Sequence, residues 1–415
     1  MKTDRAAFPL CLALGLILAS GLSAQVPRGL ELRLNRTTTG QQVAPAVATA
    51  PGRGFVAAWY EVPSASNTPV VKVRLFTAAG AARTGEIVVG TGHHPAVAMG
   101  TDGRFVVVWE LVTSTELVAL GRRYAADGHP IAAQFQLAPG DGHWQYDPKV
   151  AVAADGHFVT VWSRQNHQYD YETADVYGRI FAANGQPRGP QFAALDLFEE
   201  QSAPRVALAG DGSFVVVSNT YNGEGSFYDV IGRLFAVDGT PAGEAFDVND
   251  DPNTKDTTQF EPAVARAADG RFIVAWTDYG SDPIVNPPLF QDGTGIRARR
   301  FAADGTPAGA EFRVNVFAAG VQQQPEVAVT AGGSFLVTWQ SGANQDGDKD
   351  GIFARAFAPN GTPRGGDFRI NIARTGAQID PAMVLGADGH GVAAWVTPDG
   401  DGSNGIDSRV LVLSN

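Results

Sequence analysis

The sequence predicts an all-β fold, a seven-bladed β-propeller of four-stranded blades, on three observations. A proline and a strand-ending tryptophan recur 14 residues apart, an arginine and an apolar residue recur 13 apart, and the strand missing from the last repeat stands at the other end of the chain. The first spacing joins Pro45 to Trp59, Pro95 to Trp109, Pro148 to Trp162, Pro262 to Trp276, Pro325 to Trp339 and Pro381 to Trp395; at Pro204 it is kept with Ser218. Between the two marks lie an apolar strand, a turn that usually contains Asp-Gly, and a second apolar strand such as Phe272-Ile273-Val274-Ala275. Asp-Gly supplies the positive φ of a tight hairpin, so these are strands A and B.

The second spacing joins Arg74 to Ile87, Arg122 to Phe135, Arg179 to Phe192, Arg233 to Phe246, Arg299 to Phe312 and Arg355 to Phe368, with an aromatic residue two positions after the arginine in most copies. It marks a second hairpin, strands C and D. Four short strands per unit, at a period of roughly 48 to 66 residues, are the pattern of propeller blades. The seventh unit reaches strand C at Arg409 and stops at Asn415 without a strand D. Leu30-Glu31-Leu32-Arg33-Leu34-Asn35 matches Ala310-Glu311-Phe312-Arg313-Val314-Asn315, and each asparagine precedes the next opening proline by ten residues. Residues 30–35 are therefore expected to complete the last blade, hiding sheet edges that an open array would expose. A linear solenoid would instead need capping units at both ends.

Residues 1–24 have the form of a secretory signal peptide: Lys2 and Arg5, an apolar run from Phe8 to Ala19, and small residues before Gln25. The run is too short to span a bilayer, which takes about 20 residues. Cys11, the only cysteine, lies inside it, so the mature chain has no disulfide, thiol nucleophile or thiolate metal site. Residues 25–29 form a short lead, and 30–415 are expected to form a single domain. Without Lys2, Arg5 and Asp4, 29 basic and 42 acidic residues remain, and no basic stripe suits nucleic acid. The expected location is secreted, periplasmic or on the cell surface, with no membrane span after signal removal.

The pattern Q-x-x-P-x-V-A, G-x-F-x-V-x-W, G-I-x-A-R-x-F, G-T-P-x-G-x-E-F-x-V-N resembles a repeat of exported bacterial proteins, often large or adhesin-like. The resemblance covers essentially all of the chain after residue 30. It implies a secreted, propeller-forming, calcium-binding protein and carries over no catalytic residue.

Most repeated residues are expected to be structural. The tryptophan ending strand B and the arginine of strand C are expected to stack as cross-strand neighbours. Gln42, Gln145, Gln201, Gln259, Gln322 and Gln378, three before the proline, are expected to brace loops. Function is sought where the repeat varies, in the B-to-C and D-to-A connections that share one face.

Three constellations stand there. Asp346, Asp348 and Asp350, and Asp399, Asp401 and Asp407, place carboxylates at alternate positions suited to calcium, the expected cofactor; solvated acidic turns are the plainer reading. The residue before each opening proline should ring the channel mouth: Ala44, His94, Asp147, Ala203, Glu261, Gln324 and Asp380. Of these, His94, Asp147, Glu261 and Asp380 are candidate ligand-binding residues, against a simple hydrated rim. Trp144, Tyr146 and Tyr169 offer aromatic faces beside acids, suited to a sugar ring or a protein surface. His93 and His94 lie one loop away but lack H-E-x-x-H spacing, which makes a histidine metal site the weaker reading.

No G-x-S-x-G elbow, Walker loop or dinucleotide fingerprint is present. The expected function is a binding, adhesion or interaction module with an extracellular glycan or protein ligand. The alternative is a carbohydrate-active or other hydrolytic enzyme with its site at the channel mouth.

Overall fold

A computed structural model describes residues 27–140, 142–165, 174–195, 200–221, 228–249, 257–279, 293–342 and 345–414. The signal segment and Tyr169 lie outside these residues. Among the described residues every regular element is a β-strand. Units two to six each form a separate antiparallel sheet in the order A-B-C-D. Unit two is typical, with His93–Met99, Phe105–Val112, Leu117–Tyr124 and the two-residue strand Phe135–Gln136. The turns are as expected: Gly103 and Gly270, in A-to-B turns, have φ of 85° and 89°, which a β-carbon would strain.

Units one and seven share a larger sheet through one parallel bridge, Gln41 to Asn404. Arg28–Arg33 pairs antiparallel with strand C of unit seven, Asn404–Val412, setting Leu32 opposite Ser408 and Arg33 opposite Asp407. This strand begins and ends two residues earlier than expected. Beyond its end the Leu34 amide still donates to the Ile406 carbonyl at 2.9 Å, and the Ile406 amide donates to the Asn35 side chain at 2.8 Å.

The core lies between units. Among the described residues six buried clusters each combine residues of two consecutive units, and a seventh combines units seven and one. One holds Phe335, Val337 and Trp339 against Ile273, Ala298 and Val314; another holds Leu34, Val392 and Ile406 against Phe55, Ala57 and Trp59. All six strand-B tryptophans are fully buried in such seams.

Two polar staples reinforce them. The strand-C arginine reaches a carbonyl at the end of the preceding strand D: Arg122 to Val89 at 3.0 Å, Arg299 to Val248 at 3.0 Å, Arg355 to Val314 at 2.8 Å. Arg74 does the same to Leu34 at 2.8 Å, and Arg409 to Ile370 at 2.9 Å. The arginines do not stack on the tryptophans. Trp59 sits opposite Lys72, while Arg74 sits opposite Ala57, and in units one to six the guanidinium lies over the aromatic ring two residues on, as Arg74 over Phe76 at 5.2 Å and Arg355 over Phe357 at 5.5 Å. Residues two apart share a face of a strand, so the arginine meets the aromatic that ends its own strand.

The second staple is a carboxylate just before strand D, or within it at Glu31, that accepts amides from the loop preceding it by one unit. Asp367 takes the Val316 and Phe317 amides at 2.8 and 2.9 Å, Glu31 those of Ile372 and Ala373, and Glu86 those of Arg36 and Thr37. The glutamines brace loops as expected: Gln42 and Gln378, both fully buried, accept from Asn35 at 3.0 Å and Asn371 at 2.9 Å.

Glu86 makes the staple testable. Burial pushes its carboxyl up, but the two amides, Lys72 and Thr37 outweigh that and hold it at about 2, against an ordinary 4.5. A carboxylate depressed on folding adds stability above its unfolded value and loses it as pH falls. Glu86→Gln is expected to cost about 2 to 3 kcal/mol at pH 7. In urea titrations the deficit should shrink between pH 4.5 and pH 2; an equal deficit at pH 7 and pH 2 would refute the staple.

Candidate functional site

Strand A of every unit carries a break in register one residue before the opening proline. Pairing with strand B shifts between Val43 and Ala46, His93 and Ala96, Tyr146 and Lys149, and at the same place in the other four units. The residue inside each break has a left-handed backbone: Ala44, His94, Asp147, Ala203, Glu261, Gln324 and Asp380 all have φ between 46° and 54°. Proline supplies no amide to the ladder, so a bulge forms beside it, and a bulge re-aims side chains. Non-glycine residues there cost of order 1 kcal/mol or more each, a strain that the surrounding structure must hold.

The seven bulges surround a cavity of about 630 Å³. It gathers four candidate ligand-binding residues, His94, Asp147, Glu261 and Asp380, together with Tyr60 and Gln324. Trp144 and Tyr146 lie on strand A before the bulge and do not line it. Lys149, Arg205 and Glu326 also line it. These three follow the opening proline, where units one, two, five and seven have alanine. That contrast between charged residues and alanine was a signal in the sequence.

Hydrogen bonds tie the mouth together across units. Glu261 accepts from the Gln324 amide at 2.9 Å and from Thr277 at 2.9 Å. Gln324 donates to Asp380 at 3.0 Å, and the Asp380 amide donates to Gln340 at 3.3 Å. Lys149 bonds Asp147, with Arg205 at 3.6 Å from the same carboxylate. Burial pushes the carboxyls of Glu261 and Glu326 up and the Lys149 ammonium down. Each is thereby brought closer to exchanging a proton near neutral pH.

On the unit-two side, His93 and His94 both direct Nδ1 at Glu110 Oε2, at 2.9 and 3.0 Å. Burial raises the Glu110 carboxyl, but the two imidazoles and the Asp147 amide outweigh this and bring it to about 2; the hydrogen bond to Glu110 raises His94. Sequence reasoning missed Glu110. It follows Trp109 directly, as Thr277 follows Trp276 and Gln340 follows Trp339, and each hydrogen-bonds a residue that lines the cavity, Asp147, Glu261 and Asp380 respectively.

The acidic loops are arranged differently. The Asp348 amide donates to Asp346 at 3.1 Å, the Gly376 amide to Asp348 at 2.7 Å and Gln340 to Asp350 at 2.9 Å. Asp399 and Asp407 bind Arg33 at 2.8 and 2.7 Å, and Asp401 binds Ser403. Burial pushes Asp407 up to about 6 despite Arg33. These carboxylates each meet donors of the chain, and two of them hold the N-terminal strand.

No protein-family model matches the chain and no curated protein matches it in sequence. Solved structures do. A protein of unknown function from Dyadobacter fermentans has a TM-score of 0.58 at 12% identity, covering 94% of this chain and all of its own. A polysaccharide lyase, an ulvan lyase, has 0.52 at 11%, covering 95% of each chain. A mutant α-L-arabinofuranosidase from Fusarium graminearum has 0.50 at 10%, covering 77% of this chain and 92% of its own. The chain has a β-propeller fold. At these identities the likeness speaks for the propeller alone, and no sequence match supports the resemblance to an exported repeat. No helix among the described residues is long and apolar enough to cross a membrane.

Proposed function

We propose that the protein is an exported, closed seven-bladed propeller that binds and cleaves a glycan at the mouth of its axial cavity. The closed ring is supported by Arg28–Arg33 beside unit seven and by the cluster joining units seven and one. Export is supported by the signal-like residues 1–24. The observation that carries the function is the cavity wall, where the acids Glu261 and Glu326 stand with Lys149 and Arg205 while alanines leave room opposite. Raised carboxyls are suited to protonating a glycosidic oxygen, and the cations are suited to sugar hydroxyls or a uronate. That two propellers of similar fold are a polysaccharide lyase and an arabinofuranosidase favours cleavage over binding alone.

The test is to incubate the mature protein with arabinans and uronate-rich polysaccharides, following reducing ends and unsaturated-uronate absorbance. Glu326→Gln is expected to lower turnover by at least about a hundredfold while affinity electrophoresis shows binding retained. Binding without turnover in the unaltered protein would return the function to a binding module. Neither binding nor turnover would overturn the glycan reading.

A further inference from the structure

We propose that His93, His94 and Glu110 bind one divalent transition-metal ion of the zinc class. Adjacent residues in a strand normally point to opposite faces. Here the bulge at His94, with φ of 46°, turns its ring to the side that His93 already faces. The two Nδ1 atoms lie 3.2 Å apart, and each lies about 3 Å from the same oxygen, Glu110 Oε2. Among the described residues this is the single group of three or more such side chains with ligand atoms so close together.

Hydrogen bonding alone satisfies this triangle poorly. With a proton on both Nδ1 atoms, two hydrogens crowd one oxygen and each other; with a proton on one, the other nitrogen faces the carboxylate lone pair to lone pair. A cation at the centre accepts all three lone pairs. Bonds of about 2.0 to 2.1 Å to a tetrahedral ion separate its ligands by about 3.3 Å, so the triangle needs to open by only a few tenths of an ångström. Two imidazoles and a carboxylate select zinc-like ions over calcium.

The surroundings hold the set in place. The Asp147 amide binds the other carboxylate oxygen, Oε1, and Tyr60 packs edge-on against both rings with centroids 6.1 and 5.6 Å away. Such supporting contacts orient metal ligands. The Glu110 side chain is 5% exposed and His94 54%, so the triangle is closed behind and open towards the cavity. An ion there would keep a coordination position for water or for a ligand oxygen.

The inference is independent of glycan cleavage and is tested without it. The mature chain is stripped with a chelator, dialysed, and titrated with zinc by calorimetry and with cobalt(II) by visible absorption and pulsed EPR. One zinc per chain with a submicromolar dissociation constant is expected. Glu110→Gln and His93→Ala should weaken it by at least about a hundredfold, and His390→Ala, at the start of strand B of unit seven, should not change it. Absence of a one-equivalent site, or unchanged affinity in folded Glu110→Gln and His93→Ala, would overturn the proposal. Should those variants fail to fold, cobalt in the unaltered protein decides: coupling to two imidazole nitrogens supports the site, and its absence overturns it. Calcium, titrated in parallel, should not compete; displacement of zinc by equimolar calcium would place the ion on carboxylates alone and refute the assignment.

Discussion

A chain beginning at residue 37 is expected to lose its cooperative fold, although it lacks only one short strand and the turn after it. Leu34 is fully buried in the seam between units seven and one, and deleting such a side chain costs about 2 to 5 kcal/mol. Asp407 would lose Arg33 and the strand that covers it, and each ladder or charged hydrogen bond lost with them costs about 0.5 to 3 kcal/mol more. Glu31 would release the Ile372 and Ala373 amides, and Arg74 would lose the Leu34 carbonyl. The sum reaches the whole stability of an ordinary domain, about 5 to 15 kcal/mol. Circular dichroism and size-exclusion chromatography should show an unfolded or aggregated chain. A synthetic peptide of residues 25–36 added during refolding should restore the native spectrum, because the strand is held by side chains and ladder bonds that need no covalent link to Thr37. A truncated chain with an unchanged urea midpoint would show that this strand closes nothing.

The architecture was legible because it is written once per unit in residues of fixed chemistry. The Pro-to-Trp spacing sets one hairpin, the Arg-to-apolar spacing sets the other, and the likeness of Leu30–Asn35 to Ala310–Asn315 revealed where the last unit finds its partner. The site was legible in part. His94, Asp147, Glu261 and Asp380 are found by position, since each stands before a proline; what each one touches is not. Strand alternation alone would have sent His93 and His94 to opposite faces, and the left-handed residue that brings them together follows from the bulge, a property of two paired strands. Glu110, Lys149, Arg205 and Glu326 occupy positions that are neutral or small in most units, and departure from the repeat, rather than the repeat itself, was their signal. The tryptophan and arginine were paired wrongly because a register between strands B and C that sets Trp59 opposite Lys72 cannot be read from spacing.

Trp59→Ala should destabilise the protein as much as Trp339→Ala, by about 3 to 5 kcal/mol each. Both indoles are fully buried, Trp339 between units five and six and Trp59 between units seven and one. In an open array Trp59 would lie in a terminal repeat packed from one side, and its loss would cost much less. Equal costs thus require that the first and last units meet as any other two do. The seam between units three and four provides the internal comparison. It has Ser218 in place of tryptophan, buried and donating to the Ser202 carbonyl at 2.6 Å, and its cluster contains no indole. Ser218→Ala should therefore cost no more than about 1 to 2 kcal/mol, the loss of one hydrogen bond. Hydrogen exchange should find strands A and B of unit four, Gln201–Leu208 and Phe214–Tyr221, opening before the tryptophan-bearing seams. Urea midpoints for the three variants, measured together, separate the cases: a Trp59→Ala cost near that of Ser218→Ala means an open chain of repeats, and one near that of Trp339→Ala means a closed ring.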